Sequence, residues 1–218
     1  MDAVVFDWDG TLADTLAGLY AANVAVMSAF DLPFGPDVYR RHYSPDWRVM
    51  YRRLGIPDER LDEANLLWHS SFDRGAAAGA FDGVRDALVR LSEAGYALGL
   101  VTAGVRAVVA PQLARLELEA LLPVTVFGDD LDVHKPDPAP LRRALSELGL
   151  ADRPGAAAYV GDAPDDMRMA AAVGARAVGI ASILGDPDEL LAAGAHEVAG
   201  SVVAWVDTVL ADPREQGR

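Results

Sequence analysis

Six short apolar runs, each of strand length, recur along the chain with helical patterns between them, and this alternation limits the fold more than any other feature. The runs are residues 4–6, 98–102, 124–127, 157–160, 177–180 and a weaker one at 197–199. Residues 84–94, 107–115, 140–148, 164–173 and 187–193 carry helical periodicity, with Gly95, Gly149 and Gly174 placed where a helix ends. Strands separated by helices make an α/β fold, a parallel sheet with right-handed crossovers covered by helices on both faces. The alternation is interrupted once. From residue 14 to residue 80 the strand signal vanishes, and helical periodicity at 16–30, 47–54 and 58–78 is joined by loops at 31–36 and Gly55-Ile56-Pro57. We read this stretch as a helical cap domain, residues 14–80, inserted into a core domain of residues 1–13 and 81–218 through connectors near 12–15 and 80–83. Residues 211–218 read as a frayed polar tail.

The first run leads directly into Asp7-Trp8-Asp9-Gly10-Thr11. Strands avoid Asp, and an open α/β sheet binds its ligand at the carboxyl ends of its strands. Two acids at that point are therefore better explained by chemistry than by packing, although Asp-Gly is also a turn dipeptide. Three other positions share the placement: Thr102 closes the second run, Lys135 stands in His134-Lys135-Pro136-Asp137-Pro138, and Gly161-Asp162-Ala163-Pro164-Asp165-Asp166 follows the fourth.

Composition narrows the classes. The 218 residues are 51% apolar, enough for one ordinary core or a core with a small second unit. No apolar stretch is long enough to span a membrane and no charged leader precedes a cleavage site, so a cytoplasmic protein with no membrane partner is expected. A chain without cysteine has no disulfide or thiolate metal site. The net charge of −14 argues against nucleic acid, which needs a basic stripe.

The order and spacing of these four segments resemble the haloacid dehalogenase superfamily of aspartyl-phosphate hydrolases, from about residue 3 to about residue 210. The insertion directly after the first motif is similar to that of phosphoglycolate-phosphatase-like members. Ala103 stands where many relatives carry Asn, a mild departure because the backbone N–H remains. The resemblance implies a Rossmann-like three-layer core under a helical cap. It makes Asp7 the nucleophile that becomes a phosphoaspartate, and Asp9 the group that protonates the leaving oxygen and then deprotonates water. Thr102, the N–H groups of Ala103 and Gly104, and Lys135 would hold the phosphoryl group. The metal site would draw on Asp7, Asp9 through its backbone carbonyl, and Asp162, with Asp166 orienting a metal-bound water or Lys135. Asp165 reads as a solvated first-turn helix acid.

A divalent cation follows from charge alone. At an effective dielectric near 20, two unit charges at 4 Å repel by about 4 kcal/mol, so four acids around a phosphate dianion need compensation. Oxygen ligands without His or Cys select Mg2+ over Zn2+. Lys135 is the only lysine among 19 Lys and Arg residues. A compact, rotatable ammonium fits between a phosphoryl oxygen and a carboxylate, where a guanidinium needs more room.

Within this acidic chain, Arg40, Arg41, His42, Arg48, Arg52 and Arg53 cluster in fourteen residues against one acid, Asp46. Turned toward the site, Arg40, Arg41, Arg48 and Arg52 would bind the rest of an anionic substrate; turned away, they would pair with Asp58, Glu59, Asp62 and Glu63. Tyr43 and Trp47 fit cap core better than stacking on a base or sugar. Trp68 reads as a buried aromatic, His69 as a helix-surface imidazole, and Asp129-Asp130 as a solvated loop.

The expected function is a Mg2+-dependent phosphomonoester hydrolase acting through a phosphoaspartyl intermediate on a small anionic phosphorylated metabolite, phosphoglycolate being the leading candidate. A phosphomutase on a sugar phosphate shares the core motifs. A non-catalytic phosphate-binding or interaction protein on the same fold is a further alternative, but nucleophile and lysine are both present. Asp9 disfavours a dehalogenase. A calcium loop starting at Asp7 fails, because its sixth and twelfth positions are Leu12 and Gly18. Monomer and homodimer are equally open.

Overall fold

The computed structural model describes residues 1–72 and 79–212. Six parallel strands form the central sheet: β1 (Ala3–Phe6), β4 (Ala97–Val101), β5 (Val124–Val126), β6 (Ala157–Gly161), β7 (Arg176–Ile180) and β8 (Glu197–Ala199), in the order β5-β4-β1-β6-β7-β8. All six lie within a residue of the expected runs. β1 is central, and its four residues are fully buried. Side chains alternate across the pleat, so Val4 and Phe6 join one apolar cluster while Ala3 and Val5 join the other.

The first cluster takes in α5 (Val84–Glu93), α6 (Arg106–Arg115) and α10 (Val202–Ala211); the second takes in α7 (Ala139–Glu147), α8 (Pro164–Val173) and α9 (Pro187–Ala192). The result is a three-layer α/β core. The strand order reverses between β1 and β6, and a ligand crevice is expected outside the carboxyl ends of strands at such a switch point. Asp7 follows β1 there, and Asp162 follows β6.

Between β1 and α5 lie α1 (Leu16–Ala29), α2 (Pro36–His42), α3 (Trp47–Leu54) and α4 (Leu61–Ser71), the last preceded by one 3-10 turn at Asp58–Arg60. α2 begins at the last residue of an expected loop and fills a stretch for which no element was expected; Pro36 sits in its first turn, where a missing N–H costs nothing. Where the two connectors were read, β2 (Ala13–Asp14) and β3 (Gly79–Ala80) pair antiparallel, tying entry and exit of the helical insertion together. The insertion has its own apolar cluster, including Val26, Met27, Tyr39, Met50 and Tyr51, which also takes in Ala163 and Leu184 from the core. Residues 73–78, expected to continue the third cap helix, and 213–218 of the expected tail lie outside the described residues; Ala211 ends α10. Among the described residues, no helix is long and apolar enough to cross a membrane.

Candidate active site

Between Asp7 and Asp9, Trp8 is fully buried in the core and its indole donates to Gln112 Oε1 at 2.9 Å. This anchors the loop beyond β1. The N–H groups of Leu12 and Ala13 both donate to the Trp8 carbonyl, and Gly10 N–H donates to Ala13, closing a tight turn. Gly10 has φ 76, in the left-handed region. A Cβ there would also run into the Asp162 carboxylate and the Leu16 side chain.

Lys135 joins the pieces. Its Nζ lies 2.5 Å from Asp7 Oδ1 and 2.8 Å from Asp166 Oδ1, with all three residues buried. Burial opposes the ammonium charge, but Asp166 and Asp7 outweigh it and hold Lys135 above the ordinary lysine value. Burial pushes Asp7 up to about 7, with Lys135 pulling the other way and Asp166 and Asp9 adding to the rise. Asp162 is pushed well above the usual carboxylate range by burial, then by Asp7 and Asp166, against the Ser182 hydrogen bond and Lys135. Burial also raises half-buried Asp9, opposed by Thr15, whose hydroxyl donates to Asp9 Oδ1 at 2.6 Å, and by Lys135.

Asp166 is engaged on both oxygens. Oδ1 meets Lys135 and the Tyr159 hydroxyl at 3.1 Å, and Oδ2 accepts the Ala163 N–H at 3.1 Å, capping α8. A Cβ on Gly161 would overlap the Asp166 side chain, so the backbone must be bare there for the carboxylate to reach the lysine. Asp165, its neighbour, turns outward to Arg168 at 2.7 Å.

Carboxylate oxygens of Asp7, Asp162 and Asp166 all lie within 4.8 Å of one another. Such a cluster of hard oxygen donors could hold a divalent cation. Asp7 Oδ2 receives only a long contact from Thr11 at 3.4 Å. Asp162 Oδ2 accepts the Ser182 hydroxyl at 2.7 Å, and its Oδ1 takes part in no hydrogen bond among the described residues. Asp7 and Asp162 therefore have coordinating capacity to spare, while Asp166 is held by Lys135, Tyr159 and the helix cap.

Thr102 is buried after β4, its Oγ1 accepting the Gly104 N–H at 2.9 Å. Ala103 and Gly104 border, with Asp9, a cleft of about 350 Å3 beneath the cap. Of the described cap arginines, only Arg48 lines this cleft, exposed and lying over the Trp47 ring at 4.3 Å. Arg40 reaches back to the core, 3.4 Å from Asp186 and 3.8 Å from Glu189. Arg52 pairs with Asp58 at 2.5 Å, as the salt-bridge alternative has it, and exposed Arg41 borders a separate groove with Arg40 and Arg53. Tyr43 and Trp47 are half-buried against the cap cluster and also face the cleft. Trp68 is half-buried and stacks on Phe72. Asp129 accepts the Arg106 N–H at the start of α6, and Asp130 pairs with the Arg106 guanidinium.

Thr15, Tyr159 and Ser182 escape a sequence reading of the site, and Gly10 and Gly161 stand in its motifs without a role assigned to them. Ser182 had a usable signal, since it stands just past the carboxyl end of β7.

Residues 4–180 match the haloacid dehalogenase-like hydrolase family. A phosphoglycolate phosphatase of Salmonella choleraesuis is 33% identical over 203 residues, covering 81% of this chain and 80% of the relative. A hydrolase structure from Pseudomonas syringae superposes with TM-score 0.83 at 25% identity, covering 95% of this chain and 97% of the other. A candidate β-phosphoglucomutase structure from Thermotoga maritima does so with TM-score 0.74 at 27% identity, covering 96% and 99%.

Proposed function

Because this chain belongs to the haloacid dehalogenase-like hydrolase family, we propose that it is a Mg2+-dependent phosphomonoester hydrolase working through a phosphoaspartate at Asp7. The observation that carries this reading is the buried bridge from Asp7 through Lys135 to Asp166, with Asp162 alongside, at the switch point of the sheet. Residues 14–80 act as the cap domain over a core of residues 1–13 and 81–218.

In this reading Asp7 attacks phosphorus in line with the ester bond. The phosphorus–oxygen bond to the leaving group breaks, and Asp9 delivers a proton to the departing oxygen. Water then attacks the acyl phosphate, Asp9 takes back a proton, and the bond between Asp7 and phosphorus breaks to release inorganic phosphate. A carboxyl raised by burial suits a group that must hold a proton near neutral pH. Thr15 holds Asp9 in orientation, as Asp166 and Tyr159 hold Lys135. Lys135 and the Ala103 N–H bind the phosphoryl oxygens, with Thr102 Oγ1 fixing that turn by accepting the Gly104 N–H. Asp7, Asp162 and the Asp9 carbonyl would hold Mg2+, with Asp166 beside them. When bound, the ion offsets charge between carboxylates and phosphate.

The phosphoglycolate phosphatase among the relatives makes 2-phosphoglycolate the first substrate to assay. The β-phosphoglucomutase-like neighbour keeps a phosphomutase as the second reading. Phosphate release from a panel of phosphomonoesters, with and without Mg2+, tests the proposal. Release that requires both metal and Asp7 supports it; isomerised sugar phosphate without free phosphate favours the mutase.

A further inference from the structure

We propose that the cleft above Asp9 takes a phosphomonoester whose leaving group carries a flat aromatic or heteroaromatic ring. The inference rests on the hydrolase reading in one respect: the leaving oxygen sits at Asp9, so whatever follows that oxygen fills the cleft. Size is the first argument. A small hydroxy acid needs little room beyond the phosphate, whereas about 350 Å3 lies within the range of roughly 300–1,000 Å3 that encloses drug-sized ligands.

Wall chemistry is the second. Tyr43, Trp47, Tyr51, Trp68 and Phe72 all border the space. Trp68 and Phe72 are nearly parallel, 4.7 Å apart at 13°, and Trp47 meets Tyr51 edge to face at 5.7 Å. Two of the amides on the walls are already engaged, Asn23 donating to Leu19 and accepting from Tyr51, and Gln112 accepting from Trp8, while Ser44 and Asn65 add polar groups to the lining. A ring would gain stacking partners and shed apolar surface against these aromatic walls.

The cation inventory agrees. A site built for a second acid places guanidinium groups deep in the pocket. Here Arg40 is turned to Asp186 and Glu189, Arg52 to Asp58, and Arg53 to the Tyr43 carbonyl. Among the described residues, Arg48 is the one arginine that borders the cleft, its guanidinium over the Trp47 ring at 4.3 Å, and His69 borders it beside Trp68. A guanidinium in that position extends the aromatic wall as much as it offers charge.

The test compares ethyl phosphate, 2-phenylethyl phosphate and 2-phosphoglycolate with Mg2+ present. The first two share a primary-alcohol leaving group, so the ring is tested with little change in leaving-group acidity. We expect kcat/KM for 2-phenylethyl phosphate to exceed that for ethyl phosphate by about tenfold or more, mainly through KM, and to exceed that for 2-phosphoglycolate. In Trp68→Leu, which keeps apolar bulk but loses the flat face, the ratio of the two alkyl esters should fall toward one; Trp68→Phe should restore most of it. A wild-type ratio near one, or a preference for 2-phosphoglycolate over both, overturns the inference. Calorimetric titration of Asp7→Asn with the same esters separates the two claims. If no ester is hydrolysed by the wild type, the hydrolase reading falls. Tighter binding of the ring-bearing ester still upholds the assignment of the cleft, and equal binding overturns it.

Discussion

The carboxyl edge of the sheet and the underside of the cap face one another, but they are built on opposite principles. At the sheet edge, four charged side chains, Asp7, Lys135, Asp162 and Asp166, are almost wholly buried and fixed by one another, by Ser182 and by Tyr159. Under the cap, the walls are buried and half-buried aromatic residues, and among the described residues one exposed guanidinium borders them. Buried charge is costly unless paired with good geometry, so the first region tolerates almost no change. Apolar walls are replaceable at modest cost, so the second can vary while the chemistry below it stays fixed. In the proposed enzyme the core supplies the reaction and the cap supplies the choice of leaving group.

The largest contrast comes from the nucleophile. Asp7→Asn should lower turnover by about three orders of magnitude or more on every ester, because an amide cannot form the phosphoaspartate. Circular dichroism should show the fold unchanged, since Lys135 keeps Asp166. A loss confined to one ester would blur the division between core and cap.

Lys135→Met comes next. It strands the carboxylates of Asp7 and Asp166 without their shared cation, and removal of one partner from a buried pair costs about 3–5 kcal/mol. Urea unfolding should record a loss of that size in metal-free protein, together with loss of activity. Lys135→Arg should also be severely impaired despite its charge, because a planar fork does not fit between two carboxylates held 2.5 and 2.8 Å from one nitrogen.

Proton and metal should compete for the same core. Asp7 and Asp162 have folded-state values raised above those of the unfolded chain. The metal-free fold therefore binds protons that the unfolded chain has released. Its stability from these groups is fully present below the unfolded value near 4 and is lost as pH rises through about 7 for Asp7. Bound Mg2+ takes over that role at higher pH. Thermal unfolding should show a larger stabilisation by Mg2+ at pH 7.5 than at pH 5.5, and a gain independent of pH would break the link between the carboxylates and the metal.

The smallest effects belong to the cap rim. The ion pairs of Arg40 with Asp186 and of Arg52 with Asp58 are partly or largely exposed, so Arg40→Ala and Arg52→Ala should each cost less than about 1 kcal/mol. Neither should change the preference between ring-bearing and plain esters. A change in that preference would bring those arginines back into substrate recognition.

The same contrast explains what could be read from the chain. A strand run ending in Asp7 or Asp162 violates ordinary strand composition, so function marks itself in the sequence. Lys135 stands out because every other strongly basic position is Arg. Gly161 and Ser182 violate nothing locally; their roles exist only because the fold brings Asp166 over the one and Asp162 beside the other. The helix α2 has only seven residues, too few for a period to show, and its one fully buried side chain is Tyr39. The helix α10 is rich in valine, so its composition points toward strand, and packing against α5 overrides that preference. Tyr43 and Trp47 were legible as cap aromatics, but whether an aromatic faces a core or a cleft depends on the helix packed opposite.

Trapping the covalent intermediate tests the central claim most directly. Protein turning over an activated phosphate ester with Mg2+ is quenched in acid within the first turnover, digested, and its amino-terminal peptide sequenced by mass spectrometry. The account requires a phosphoryl group on Asp7, accumulating further in Asp9→Asn where hydrolysis of the intermediate is slowed, and absent from Asp7→Asn. A phosphoryl group on another residue, or full activity with none trapped on Asp7 in either background, would contradict it.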